Sequence, residues 1–300
     1  MNKKFGSKAF DVFNIILFVI IGFVTLFPFW NIAVISLNEP LDAMKGGLLF
    51  WPRHFTIDSY VYIFTSNKEL IHAFFISVLR TLIGTVFNVV CTTMLAYALS
   101  RRDFIARKLF RKMFVVSMYF SGGLIPFFIL MKQLHFINNF WVYIIPPFSA
   151  PGLVSAFYLI IMISFIQDIP ESLQEAAKID GANDFKIFYT VIIPLCKPAV
   201  ATIALFVAVG QWGAWQDTFF FASNMRSLST LQFEMQKILY DGVQQMTSSQ
   251  IHEISQNTKT MTPQAIQNSI IVIATIPILL VYPFLQKYFV SGLTIGGVKE

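Results

Sequence analysis

Charge is what this 300-residue chain has least of. Asp, Glu, Lys and Arg make up 13% of it against 56% hydrophobic residues, too little polar surface to solvate a globular domain of that length. Cysteine is almost absent too. Cys91 and Cys196 have no partner pattern or metal spacing and read as small apolar residues, which removes a disulfide framework and a thiolate metal centre. The four histidines, His54, His72, His135 and His252, are scattered, and His252-Glu253 does not extend to H-E-x-x-H. No G-x-x-x-x-G-K-[ST] run is present to cradle a nucleotide phosphate. The chain therefore reads as non-catalytic, with no metal and no cofactor of its own.

What it has in quantity is apolar length. Charge-free runs cover 12–38, 81–100, 113–131, 136–167, 198–216 and 264–286, and each reaches the roughly 18 residues that cross a bilayer as helix. The expectation is an all-α membrane protein with six transmembrane helices in one domain spanning 1–300. The first run is too long for a secretory signal and lacks a small-residue cleavage site, so it reads as a retained span. The second helix is expected to begin near Ile71. That start puts Arg80 inside the hydrocarbon as a snorkelling anchor, and Asn88 at mid-helix as an interhelical hydrogen bonder. Lys and Arg number 14 on one side of these spans, including Lys3, Lys4, Arg101, Arg102, Lys178 and Lys299, and seven on the other. The positive-inside rule then puts both termini in the cytoplasm of a multi-pass bacterial cytoplasmic-membrane protein, and the net charge of +6 needs no nucleic acid.

One polar stretch interrupts the apolar pattern on the cytoplasmic side: "EAAKIDGANDFKIFYTVIIP", residues 175–194. Asp168 can cap a helix beginning at Pro170 and running to about Lys178, where Asp180 and Gly181 stop it. A second helix starts near Asn183 or Asp184 and carries Phe185, Phe188, Tyr189 and Ile192 as an apolar stripe. The region 168–194 thus predicts a helix, turn and helix projecting from the membrane.

Glu175, Ala176, Ala177, Gly181, Val191, Ile193 and Pro194 have the spacing of the EAA motif, and the chain resembles the permease subunits of binding-protein-dependent ABC importers. "AYALSR" at 96–101 and "LLVYPFLQKYFVSGLTIGGVKE" at the C-terminus extend the resemblance toward the carbohydrate, oligosaccharide or polysaccharide type. It implies a type I ABC importer permease fold. Glu175, Ala176, Ala177, Asp180, Gly181, Val191, Ile193 and Pro194 would couple the chain to a separate ATPase that binds ATP and Mg. It also implies two such ATP-binding subunits, a second permease subunit, chiefly as a heterodimer, and an extracytoplasmic solute-binding protein.

Contacts with solute are harder to read. Gln211, Trp212, Trp215, Gln216 and Asp217 lie in the outer half of the fifth run. They can line a sugar path, or the tryptophans can form an interfacial belt; Gln211 is the better path residue because an amide at that depth prefers the bundle interior. The extracytoplasmic loop 218–262 is long enough to receive the solute-binding protein. Its part around Leu231, Met235, Ile238 and Leu239 is amphipathic and its part 244–260 polar. An importer for another solute class remains open, as does an ion-coupled secondary transporter. Against the latter, which calls for discontinuous helices or intramembrane ionisable residues, runs one, three, four and six contain no carboxylate.

Overall fold

A computed structural model describes residues 5–47, 50–66, 68–247 and 262–295. Every regular element among them is helical, apart from one isolated antiparallel bridge between Asn38 and Phe55. The chain divides into two compact units, 1–68 with 237–276 and 69–236 with 277–300.

The first unit contains α1 (Phe5–Ser36), α2 (Pro40–Ala43) and α3 (Asp58–Ser66). Its apolar part, Phe10–Ser36, has a mean hydropathy of 2.6, and none of its most apolar window is buried within the chain. Such a surface requires lipid or another subunit around it. After α1 the backbone turns through a polar knot. Asn38 accepts from the His54 N–H at 2.8 Å and donates to Asp42, and Arg53 donates to the Asp42 carboxylate and backbone carbonyl at 2.8 and 3.0 Å. The Asn38 bond, reinforced by Arg53 and Lys45, outweighs the effect of burial and holds the Asp42 carboxyl at about 2.

The second unit is built on α4 (Lys68–Ser100), the only other unbroken helix among the described residues that is long and apolar enough to span. Then come α5 (Arg107–Ser117), α6 (Leu124–Gln133), a 3-10 turn (Phe140–Tyr143), α7 (Ala156–Gln167) and α8 (Glu171–Ile179). Next, α9 (Asp184–Ile187) runs through a π turn (Phe188–Ile192) into α10 (Ile193–Leu195), followed by α11 (Lys197–Gly213), α12 (Gln216–Phe221) and a second 3-10 turn (Arg226–Leu228). Finally α13 (Leu231–Thr247) and α14 (Pro263–Ile295) cross from one unit's residues into the other's. The core of this unit joins Ala96, Leu99, Leu159, Met162, Ile166, Ile187, Ile192 and Val207.

Two expectations of continuous spans fail. The run 113–131 breaks between α5 and α6, where Gly123 has φ +86°, a conformation open to glycine. The run 136–167 is helical in its second half, after Asn138 at φ +57° and the pairs Pro146-Pro147 and Pro151-Gly152. At Gly152 even a Cβ would come within 2.5 Å of the Ile145 carbonyl oxygen. Hydropathy counts apolar atoms and is blind to these breaks. Two further helix pairs bend sharply: α7 with α8 by 72°, and the helix 184–195 with α11 by 81°.

Candidate functional site

The polar stretch folds into the expected helix, turn and helix, with its ends made differently from the expectation. Asp168 closes α7, and Pro170 stands before α8 without a side-chain cap. The turn after α8 is a Schellman motif: the Ala182 N–H reaches the Ala177 carbonyl at 2.9 Å and the Gly181 N–H reaches Lys178 at 3.0 Å. Gly181 takes φ +78°, and a Cβ there would meet nothing within 4 Å, so its requirement is conformational rather than steric. Asn183 caps the next helix by accepting the Lys186 N–H at 2.8 Å. The stripe expected from Phe185 to Ile192 splits, because the π turn advances the face: Ile187, Phe188 and Ile192 are buried, while Phe185 and Tyr189 are 67% exposed.

α8 is correspondingly two-faced. Ala177 packs against the core with Val191 and Ile193, whereas Glu175, Ala176, Asp180 and Pro194 are exposed. Leu173, Ala176 and Ile179, three residues apart, form an outward apolar edge, and Ile179 is 87% exposed. Beside α8 lies a cavity of about 510 Å³ lined by Arg102, Arg107, Lys108, Glu171 and Glu175 among others. Across it Arg102 meets Glu171 at 3.1 Å.

In the N-terminal half of α4 lies a dry polar network. Arg80 is fully buried, and every nitrogen of its guanidinium is engaged: Nε donates to Gln211 at 3.0 Å, Nη1 to the Ala214 carbonyl at 2.9 Å, and Nη2 pairs with Asp217. The Tyr143 ring lies 4.7 Å from the guanidinium carbon. Ala214 leaves helical geometry at ψ 123° and ends α11, so Arg80 satisfies a carbonyl that the helix end exposes. The other Asp217 oxygen accepts from the Ser149 amide and hydroxyl at 3.1 and 2.7 Å. Gln211 donates to the carbonyls of Pro151 at 2.8 Å and Tyr143 at 3.3 Å. Arg80 is thus no snorkelling anchor. The helix places it against α11, and its fork of donors matches three acceptors there. Asn88 bonds the carbonyl of Gly152, in an irregular segment rather than a second helix.

Next to this network opens a cavity of about 520 Å³, lined by Ser121, Gly122, Phe127, Phe148, Gln216 and Phe220 among others. Its size is within the roughly 300–1,000 Å³ of small-molecule sites. None of the network's members lines it, but Asp217 follows Gln216 and Ser149 follows Phe148.

The sequence matches the family described as binding-protein-dependent transport system inner membrane component over residues 88–229. It is 34% identical to the polygalacturonan/rhamnogalacturonan transport system permease protein YtcP of Bacillus subtilis (strain 168), over 98% of this chain and 99% of that one. The chain belongs to this family. It is likewise 34% identical to protein LplC of the same organism, over 100% of this chain and 98% of the relative. Among solved structures, a bacterial ABC transporter involved in the import of the acidic polysaccharide alginate matches with a TM-score of 0.80 at 26% identity, covering 96% of this chain and 99% of that one. The breaks in its helices are therefore part of a type I ABC permease fold, and discontinuity is no mark of a secondary transporter here.

Within this permease the residues anticipated for a solute path separate. Gln211 and Asp217 are consumed by the buried network, and Trp212 is buried edge-on to Phe74 at 5.9 Å. Trp215 is half-buried, edge-on to Phe219 at 6.0 Å, and Gln216 alone of the five lines the cavity beside the network. Sequence reasoning missed Ser121, Phe127, Phe148 and Phe220; the clue was the Ser-Gly-Gly and Pro-Pro breaks, which leave helix ends facing open space. It also missed Leu173 and Ile179, whose spacing of three from Ala176 marks one helix face. In the loop 218–262, α13 includes the amphipathic part; the polar tract 244–260 lies, from 248 on, outside the described residues, as do Lys3, Lys4 and Lys299.

Proposed function

We propose that the permease forms the membrane path of an ATP-driven importer of carbohydrate, an oligosaccharide or polysaccharide fragment, into the bacterial cytoplasm. The observation that carries this reading is α8. An exposed helix edged by Leu173, Ala176 and Ile179 ends in a glycine turn, on a chain without a nucleotide-binding loop. Burying Ile179 alone against a partner would yield about 1.5–3 kcal/mol. The partner is an ATPase that binds ATP and Mg, present twice, with α8 of each permease subunit as its dock. Glu175, Ala176, Asp180, Gly181 and Pro194 stand at that surface, and Ala177, Val191 and Ile193 hold it to the bundle. Six membrane crossings are read from the six charge-free runs, and cytoplasmic termini from the 14 to seven excess of Lys and Arg. A second, non-identical permease covers the apolar face of α1, and an extracytoplasmic solute-binding protein delivers the sugar, with loop 218–262 as its seat.

Carbohydrate as the solute draws on the polygalacturonan/rhamnogalacturonan relative and the alginate transporter. The cavity supports it chemically, since Phe127, Phe148 and Phe220 offer ring faces to sugar CH groups and Gln216 an amide to hydroxyls. Gln211, Trp212, Trp215 and Asp217 shape this path from behind. The test is uptake of labelled oligosaccharide into vesicles containing the assembled complex, with ionic gradients collapsed. Uptake should require ATP, Ile179→Asp should lose the ATPases on purification, and Gln216→Leu should weaken uptake in an assembled complex. Transport driven by a gradient without ATP would overturn the reading.

A further inference from the structure

Arg101 follows the last residue of α4 and ties three elements together. Its guanidinium pairs with Asp184 at the start of α9 at 3.1 Å, donates to Gln174 of α8 at 3.2 Å and to the Tyr97 hydroxyl of α4 at 3.3 Å, and meets Asp103 at 3.3 Å. It lies over the Tyr97 ring at 5.7 Å, and Tyr97 in turn packs on Phe188 at 5.5 Å. With its side chain only 16% exposed, Arg101 is held rather than waving in solvent. The neighbouring pairs are looser. Arg102 with Glu171 is 75% and 49% exposed, and Lys178 reaches Asp103 only at 3.8 Å.

We propose that Arg101 is the positioning residue that fastens the coupling helix to α4, so that movement of α8 is passed along α4 to the Arg80 network behind the cavity lined by Gln216. This rests on α8 being the ATPase dock. The two direct chain continuations out of the coupling region run through sharp joints, 72° between α7 and α8 and 81° between the helix 184–195 and α11, where a push is absorbed by bending. α4 is continuous from Lys68 to Ser100, and within it Arg80 is engaged with Gln211, Ala214 and Asp217. A continuous helix held at two points about 30 Å apart is a physical form that can carry coupling between distant sites.

The test uses the whole complex in vesicles: this permease, its partner permease, the ATPases and the solute-binding protein, with ATP hydrolysed per sugar imported as the readout. Arg101→Gln should keep the ATPases through purification and still hydrolyse ATP, while the ATP used per sugar rises roughly tenfold. Arg101→Lys keeps the charge but not the fork and should fall between. The exchange Arg101→Asp with Asp184→Arg should recover part of the loss. If Arg101→Gln does not fold, Asp184→Asn, which changes a carboxylate 68% exposed, has the same expectation. An unchanged ratio in the folded variant overturns the proposal. So does loss of the ATPases from both Arg101→Gln and Asp184→Asn, which would make Arg101 a part of the dock itself. Retention of the ATPases by Ile179→Asp is a separate result, and it removes the docking reading instead.

Discussion

Arg80 lies within α4 and Arg101 directly after its last residue, about 32 Å further along the axis, and they do opposite things with the same guanidinium. Arg80 is fully buried, and its acceptors Gln211 and Asp217 are almost equally dry. Arg101 faces Asp103 and Asp184, whose side chains are 77% and 68% exposed. In the dry network every partner is indispensable, because removing one strands a charge or a donor where no water can replace it. In the wet cluster each single pair is weak, since water and salt compete for the exposed carboxylates, while several partners together hold Arg101. The first arrangement fixes a geometry; the second can be shifted by a partner that pulls on it. The proposed mechanism, in which a path is held in register while the α8 end moves, uses both.

The sharpest way to break this contrast is Asp217→Leu, which leaves Arg80 buried and unpaired. It should cost about 3–5 kcal/mol, seen as loss of folded permease in thermal unfolding in detergent, whereas Asp103→Leu should leave the midpoint in place. Gln211→Leu comes next. It removes an acceptor from Arg80 and a donor from the Pro151 and Tyr143 carbonyls, at about 1–3 kcal/mol for the groups left unsatisfied. Because Gln211 sits in the support rather than on the cavity wall, its loss should lower stability before it alters sugar preference. Gly84→Ala attacks the same joint from α4, since its Cβ would come within 2.7 Å of the Gln211 amide carbon. Some of that network must shift, and the same unfolding measurement should place this variant beside Gln211→Leu.

Smaller still is Arg102→Gln at the wet end. An exposed pair of this kind is worth about 0–1 kcal/mol, so unfolding should move little and the difference from native should vanish in high salt. The least change is expected near neutrality at Asp42, an ion site of the other unit. Its folded value is about 2 against an ordinary 3.8, so its contribution is full above the ordinary value and is lost as pH falls through about 2. Hydrogen exchange at the Glu39 and Thr56 amides, which bond His54 and Leu37, should be protected alike at pH 7 and 5 and lose its protection as the pH nears 2.

Much of the coupling end was legible. Gly181 announces a positive φ, Asn183 or Asp184 a helix start, and the Glu175–Pro194 spacing a family, because these depend on neighbours along the chain. Even there the π turn over Phe188–Ile192 was hidden, and with it the burial of Ile187 in place of Phe185. The membrane end was legible mainly as apolar length. Runs 113–131 and 136–167 look like spans by hydropathy, yet Gly123 and the prolines around Phe148 break them, and those breaks open the cavity beside Gln216.

The sequence by itself determined the class, the apolar runs, the polar insertion at 168–194 and the family resemblance carried by that insertion, all properties set by composition or by spacing within a few turns. Only the tertiary structure decided the role of Arg80. Its partners Gln211 and Asp217 are 131 and 137 residues away, and no local pattern states which helix a charge in the hydrocarbon will meet. Whether such a charge snorkels or pairs depends on what the fold brings within 3 Å of it, and that is a property of packing.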